Sequence, residues 1–330
     1  MTFLIDNRQT DPCYNLALEQ VLFEKMLPGE ICFMLWQNHN AVIVGRHQNT
    51  LEEINPGFIK ENKITVVRRL SGGGAVYHDL GNLNYTFIMP ASGNPGIDFV
   101  RFCEPVRYAL NCLGVPAEIA GRNDMAVNGM KISGNAQYLK NGKIMHHGTI
   151  LFDTNLEMLS KALKPKDKIE SKAIRSKPGS VTNIRPLLKK DMNFVCFRDY
   201  LKSHLITSMN LKEIELNRED HKTAADLRER IYSQWSWNYG NSPPFTLRKT
   251  RRFEGCGKID VFLDVGHDGI INNVAFFGDF FGNRDTAELT VILAGRRLEY
   301  NELSVLLGKI DISQYFYTLE TGSFLSLLFE

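Results

Sequence analysis

Arg68-Arg69-Leu70-Ser71-Gly72-Gly73-Gly74-Ala75-Val76-Tyr77-His78-Asp79 sets two guanidiniums beside three glycines, directly after the β-branched run 64–67. A loop of this make suits an anion. Missing Cβ atoms let main-chain N–H groups approach phosphate or carboxylate oxygens, and Arg68 and Arg69 supply charge or a bidentate fork. The plainer alternative is a loop whose glycines serve only turning. Two other owners of glycine-rich anion loops are excluded by spacing. A P-loop needs Gly-x-x-x-x-Gly-Lys followed by Ser or Thr, and a dinucleotide fingerprint needs Gly-x-Gly-x-x-Gly opening a helix.

Working outward, the loop lies between strands. Residues 31–36 and 41–44 are short apolar runs, while 64–67 and 83–89 are rich in β-branched and aromatic residues. Upstream, Leu16, Leu18, Val21, Leu22 and Met26 repeat at helical spacing behind the start signal Asp11-Pro12, which predicts a helix within 11–27. A second amphipathic helix is predicted over 99–113, ended by Gly114 and Pro116.

Asn128-Gly129 and Asn141-Gly142 are both type I′ hairpin dipeptides between alternating segments, and they predict a three-stranded meander over 124–153. A two-residue first turn sets Ala126 opposite Lys131 and Asp124 opposite Ser133, which makes Asp124 and Lys131 diagonal neighbours on one face. The second hairpin sets Ala136 opposite His147 and Gly134 opposite Thr149, pairs that leave room above the sheet. A lysine among apolar residues needs a counter-ion, because an unpaired buried ammonium is expensive. Asp124 or a bound anion answers that need.

Residues 164–186 carry Lys, Ser, Gly and Pro with little periodicity and read as a mobile flap. Helices are predicted at 193–206 and 223–235. Asn241-Ser242-Pro243-Pro244 reads as a linker, followed by a strand pair at 259–265 and 270–276 turning at His267-Asp268-Gly269. At 330 residues the chain exceeds what one hydrophobic core usually supports, so two domains are expected, residues 1–241 and a small α+β unit at 246–330. A net charge of +2 gives no electrostatic case for nucleic acid, and the basic runs 161–177 and 248–252 read as solvated surface. The six cysteines lack metal spacing and read as buried thiols of a reduced compartment. Neither a signal peptide nor a membrane span is read from the apolar stretches, so a soluble cytoplasmic protein is expected.

Together with the glycine tract and Leu80-Gly81-Asn82, the motifs Gly121-Arg122-Asn123-Asp124, Lys131-Ile132-Ser133-Gly134 and His146-His147-Gly148-Thr149 closely resemble the lipoate-protein ligases. Leu35-Trp36-Gln37-Asn38, residues 42–49 and Ser180-Val181-Thr182-Asn183-Ile184 follow in the family's order, so motifs cover about two-thirds of the chain. The resemblance implies an α+β fold: a large catalytic domain of mixed β-sheets flanked by helices, with a small C-terminal domain. It implies an enzyme that joins lipoate to ATP as lipoyl-adenylate and then acylates a lysine of an acceptor protein.

Carried over by motif, Lys131 is the catalytic lysine. Arg69 and the main chain of Gly74, Ala75, Val76 and Tyr77 would hold the nucleotide, with His78, Asn82, Asp124, Thr149 and Asn183 in support. Trp36, Gly134, Ala136, His147 and Gly148 would border the lipoyl channel. ATP and magnesium are the implied cofactors, although no carboxylate cluster names the metal's ligands. Apo lipoyl-acceptor domains, such as the glycine-cleavage H protein and 2-oxoacid dehydrogenase acyltransferase subunits, are the implied partners of a monomer.

Without the resemblance, His78 and His147 read rather as structural histidines, Trp36 as core or channel wall, Arg46 as a ligand contact or the partner of a carboxylate, and Asp79 and Gly81 as a turn. The enzymatic alternative is a lipoyl or octanoyl transferase working through a cysteine thioester. It lacks a nucleophile, because no cysteine occurs between Cys112 and Cys196. A biotin-protein ligase would carry a different arginine-glycine loop. A non-catalytic lipoate-binding protein is the alternative from another class.

Overall fold

The computed structural model describes residues 2–91, 98–163, 181–239, 247–266 and 269–329. In strand Ile31–Trp36 the side chains alternate between two cores: Phe33 and Leu35 pack on one side, Cys32, Met34 and Trp36 on the other. A strand covered on both faces reads as a continuous apolar run, which is why this one shows no polar alternation. It belongs to an eight-stranded mixed sheet in the order Lys212–Glu213, Thr2–Asp6, Ile31–Trp36, Asn82–Pro90, Lys143–Leu151, Met130–Lys140, Asp124–Val127, Glu118–Ala120. Helices Phe99–Cys112 and Phe194–Met209 cover one face, and Pro12–Lys25 and Arg218–Leu227 the other.

Caps set the helix starts. Asp11 accepts from Cys13 N–H and Tyr14 N–H with Pro12 in the first turn. Asn217 and Asp220 form a reciprocal capping box that starts the helix at Arg218 rather than at 223 as the periodicity suggests. That helix gives way to a π-helical turn at Arg228–Tyr232, so Trp235 begins a separate short helix, Trp235–Asn238.

The glycine tract joins Thr65–Arg68 to Val76–His78, which flank Ala41–Val44 in a separate three-stranded sheet. Both predicted hairpins form. Asn128, Gly129, Asn141 and Gly142 all have positive φ, as type I′ turns require. Ala126 faces Lys131 as expected, but a register shift at Met125/Ala126 then sets Asp124 opposite Gly134, not Ser133. The extra residue is a β-bulge, and it brings Lys131 and Gly134 onto one face although they are three positions apart. In the second hairpin His147 faces Ala136. Its ladder ends at Gly148 and Asn135, and beyond it the Thr149 hydroxyl accepts Gly134 N–H at 3.1 Å.

A third core draws only on residues from Phe253 onward, packed between helices Thr286–Leu293, Tyr300–Leu307 and Thr321–Phe329 and an antiparallel sheet, Leu247–Phe253, Gly257–Val265, Ile271–Gly278. The run 248–252 lies in the first of these strands and is half-buried or exposed throughout, in keeping with solvated surface. It lies at a sheet edge with Arg248 paired to Asp260 and Arg252 to Asp279. Cys112 and Cys196 are exposed, against the expectation of six buried thiols. Residues 164–180 of the expected flap, 240–246 of the linker and 267–268 of the last turn lie outside the described residues. No described helix is long and apolar enough to cross a membrane.

Candidate active site

The glycine loop, the meander, the first helix and one residue of the C-terminal unit line a single cavity of about 320 Å3. Small-molecule sites commonly have this size. Its apolar lining is Leu16, Trp36, Ile43, Val76 and Ala136, and its charged lining is Arg69, Arg122, Asp124, Lys131 and Asp279. Thirteen of the sequence-selected residues are brought together here: Trp36, Arg69, Gly74, Ala75, Val76, His78, Asp124, Lys131, Gly134, Ala136, His147, Gly148 and Thr149.

Lys131 Nζ stands 2.8 Å from Asp124 Oδ1, and both side chains keep about a third of their surface (34%) exposed. The pair is held by the bulge, and Gly134 makes room for it, since a Cβ there would lie 2.8 Å from Nζ. The described end of the expected flap is tied to the same lysine: Val181 bridges Lys131, and Thr182 N–H donates to its carbonyl at 2.9 Å.

The two arginines of the loop behave otherwise. Arg69 donates from Nη1 to the Ile43 carbonyl and from Nη2 to the Gly72 and Gly74 carbonyls, and from Nε to Ser71 Oγ. Arg68 donates to the carbonyls of Gly45, Arg46, Gln48, Trp237 and Asn238 and to Thr50 Oγ1. Burial pulls both guanidiniums down to about 10. Neither presents the free fork that the sequence suggested. They fold the loop, and its main chain is left to meet an anion. Part of that main chain is also committed, because Gly73 N–H donates to the Phe280 carbonyl. Gly72 lies so close to Phe280 that a side chain there would strike its carbonyl oxygen.

His78 is almost fully buried, with Nδ1 accepting from Asn38 Nδ2 at 3.1 Å. Its Nε2, itself buried, has no partner among the described residues, so a residue that lines the cavity keeps an unspent donor in Nε2–H. Burial, helped by Arg69 and His147, lowers its pKa to about 3 and keeps the ring neutral. Trp36 is both core and wall: 3% exposed, it lines the cavity while Nε1 donates to Thr86 Oγ1. Arg46 pairs with Asp285 at 3.3 Å and lies over the Trp237 ring. Asp79 forms the expected turn, accepting Gly81 N–H.

Three selected residues fall outside the cavity. Tyr77 alternates away from Val76 and His78 into the small-sheet core, its hydroxyl donating to Asn40. Asn82 donates to Asn84 Oδ1, and Asn84 is the one that lines the wall. Asn183 spends its amide on the main chain of Thr154. Gly73, one of the three glycines of the loop, also lines the wall, and Leu16, Ile43, Asn84, Arg122, Asn123, Asn135 and Asp279 join it unselected. Arg122 and Asn123 stood inside a quoted motif, so the signal was present. Asp279 follows a C-terminal strand, and nothing local marks it. Arg122 donates to the carbonyls of Gly255, Cys256 and Asp279, and so ties the cavity to that unit.

The lipoyl protein ligase A/B catalytic domain matches residues 11–206, and the bacterial lipoate protein ligase C-terminus matches residues 242–328. The chain is 41% identical to lipoate-protein ligase LplJ of Bacillus subtilis over 100% of both chains. It is 36% identical to lipoate-protein ligase 1 of Staphylococcus aureus, covering 99% of this chain and 100% of that one. Its fold is similar to that of LipL1 of P. falciparum, solved in complex with lipoate, with a TM-score of 0.79 at 22% identity over 99% of this chain and 97% of that one. A lipoate-protein ligase A solved with ATP has a TM-score of 0.60 at 24% identity over 72% and 98%. On these matches, which span both ends of the sequence, the chain belongs to the lipoate-protein ligase family.

Proposed function

We propose that this enzyme activates lipoate with ATP and passes the lipoyl group to a lysine of an acceptor protein. The observation that carries the reading is the half-exposed Lys131–Asp124 pair on the wall of a cavity shared with the glycine loop. In the first step a carboxylate oxygen attacks the α-phosphorus, and the bond to the leaving pyrophosphate breaks. Lys131 turns from Asp124 to the carboxylate and phosphate and offsets the charge that builds there. In the second step the acceptor's amine attacks the acyl carbon, the bond to AMP breaks, and an amide forms as the amine gives up its proton.

The main chain of Gly74, Ala75 and Val76, with His78 Nε2–H and Thr149, meets the nucleotide. Trp36, Ala136 and His147 take the aliphatic chain and ring, with Gly148 behind them. Tyr77, Asn82 and Asn183 act on the shape of the site from outside it. Magnesium enters with the nucleotide. The described residues hold no group of three or more His, Cys, Asp or Glu suited to a metal. The ion is commonly held by one or two carboxylates plus substrate phosphates, and Asp124 on the cavity wall would supply one. It would draw charge from the phosphates. Val181 and Thr182, tied to the main chain of Lys131, close the site around the adenylate and keep water from the mixed anhydride. The catalytic unit spans residues 1–241 and the C-terminal unit residues 246–330. The acceptors are apo lipoyl domains, including H protein and acyltransferase subunits.

A thioester mechanism is disfavoured, because no cysteine lines the cavity. With purified protein, ATP, magnesium and lipoate, pyrophosphate release and a mass gain on an apo lipoyl domain are expected. Labelling from an acyl thioester without ATP would establish a transferase, and tight lipoate binding without product a non-catalytic binder.

A further inference from the structure

Behind the cavity wall the hydrogen bonds of five side chains run toward one carboxylate. Trp36 Nε1–H donates to Thr86 Oγ1 at 2.8 Å, and Thr86 Oγ1–H donates to Glu19 Oε1 at 2.6 Å. From the other side Arg69 Nε–H donates to Ser71 Oγ at 3.0 Å, which leaves the Ser71 proton for His147 Nε2 at 2.6 Å. His147 then carries its own proton on Nδ1, and Nδ1–H meets Glu19 Oε1 and Oε2 at 2.9 and 3.0 Å. This assignment gives each of these donors an acceptor and makes Glu19 the common sink.

Glu19 and Ser71 are 2% and 1% exposed, and neither lines the cavity. The atom order Ser–His–Glu is that of a hydrolase triad, yet Ser71 Oγ is sealed from the cavity and already receives Arg69 Nε–H, so it is no nucleophile. What the chain does is join two walls. Trp36 and His147 face the cavity at one end. At the other, Arg69 holds the carbonyls of Gly72 and Gly74. Cutting a link in such surroundings leaves a buried donor or charge without a partner, so the links hold or give together.

We propose that Glu19 and Ser71 are positioning residues that couple the acyl-binding wall to the nucleotide loop, Glu19 setting the ring of His147 and Ser71 passing that setting to Arg69. The inference rests on the lipoate and ATP reading of the cavity. An acyl chain packed on Trp36 and His147 then favours the loop arrangement that takes nucleotide. By linkage a bound nucleotide tightens acyl binding by the same factor.

Calorimetry of lipoate binding, with and without a non-hydrolysable ATP analogue, tests the coupling. In the wild type the analogue should tighten lipoate binding about fivefold or more, a common size for such coupling. In Ser71→Ala and in Glu19→Gln the factor should fall to within about twofold of unity. 15N NMR gives a readout that needs no ligand: His147 protonated on Nδ1 in the wild type and in Ser71→Ala, and shifted to Nε2 in Glu19→Gln, whose amide N–H meets Nδ1. Both wild-type measurements stand even if a variant fails to fold. A wild-type His147 protonated on Nε2, or independent binding of the two ligands to the wild type, overturns the proposal alone. So does coupling that survives Ser71→Ala. A wild type that binds neither ligand removes the reading of the cavity and this proposal with it.

Discussion

Two cationic environments lie within one loop's reach of each other. Lys131 shares its charge with one carboxylate, Asp124, and keeps a third of its surface in contact with solvent. Arg68 is 7% exposed and spends its guanidinium on five carbonyls and a hydroxyl, with no carboxylate among the hydrogen-bond partners given above. A charge held by one exchangeable partner can be lent to a substrate. A charge spread over fixed main-chain oxygens holds shape and has little left to lend.

The largest test of that contrast is Lys131→Ala. Adenylation, followed by pyrophosphate release, should fall by about 10³-fold or more, the scale of losing a transition-state stabiliser. The thermal midpoint should barely move. Near-normal turnover would end the role given to this ammonium. Arg68→Ala should do the reverse and cost about 3 kcal/mol of stability in denaturant unfolding, because several buried carbonyls lose their donors together. Arg68→Lys should recover little of this, since a point charge cannot reproduce the fork.

Smaller effects sharpen the line between the two. Gly134→Ala sets a methyl 2.8 Å from the resting Nζ, and the end of a lysine can yield. Stability should hold while adenylation drops about tenfold through misplacement of the ammonium. Smallest is a pH effect from the neutral, buried histidines. Burial holds His47 and His78 at about 3 and His146 well below its ordinary value. Between the unfolded value near 6.5 and their folded values the unfolded chain binds protons that the folded chain refuses, so stability is full well above 6.5 and declines as the pH falls through it. Lowering the pH from 7.5 to 6.5 should cost about 1 kcal/mol for the three together, read by denaturant unfolding at both values. A flat profile would show that none of them refuses the proton in the fold.

Much of this was legible in the chain. Asp11-Pro12 and the two Asn-Gly dipeptides act locally, so the first helix and the meander stand where those residues place them. Thirteen wall residues came from short motifs for the same reason. What the sequence withheld depends on partners distant along the chain. The bulge that sets Asp124 opposite Gly134 has no residue signature, and Asp279 reaches the cavity only because the C-terminal sheet docks there. The arginines were misjudged in role, because whether a guanidinium is free depends on carbonyls contributed by residues up to 170 positions away. The ring of Tyr77 leaves the wall for a simpler reason, the two-residue alternation that sends it into the small-sheet core.

The close seat of Gly72 against Phe280 has a practical corollary for anyone recombining these enzymes. A chimaera that takes its first 239 residues from this protein and its remainder from a relative inherits the seam between them. Position 72 tolerates no side chain while the opposing carbonyl stays where it is, so grafts that move the 278–282 turn should be screened for nucleotide binding before anything else is blamed.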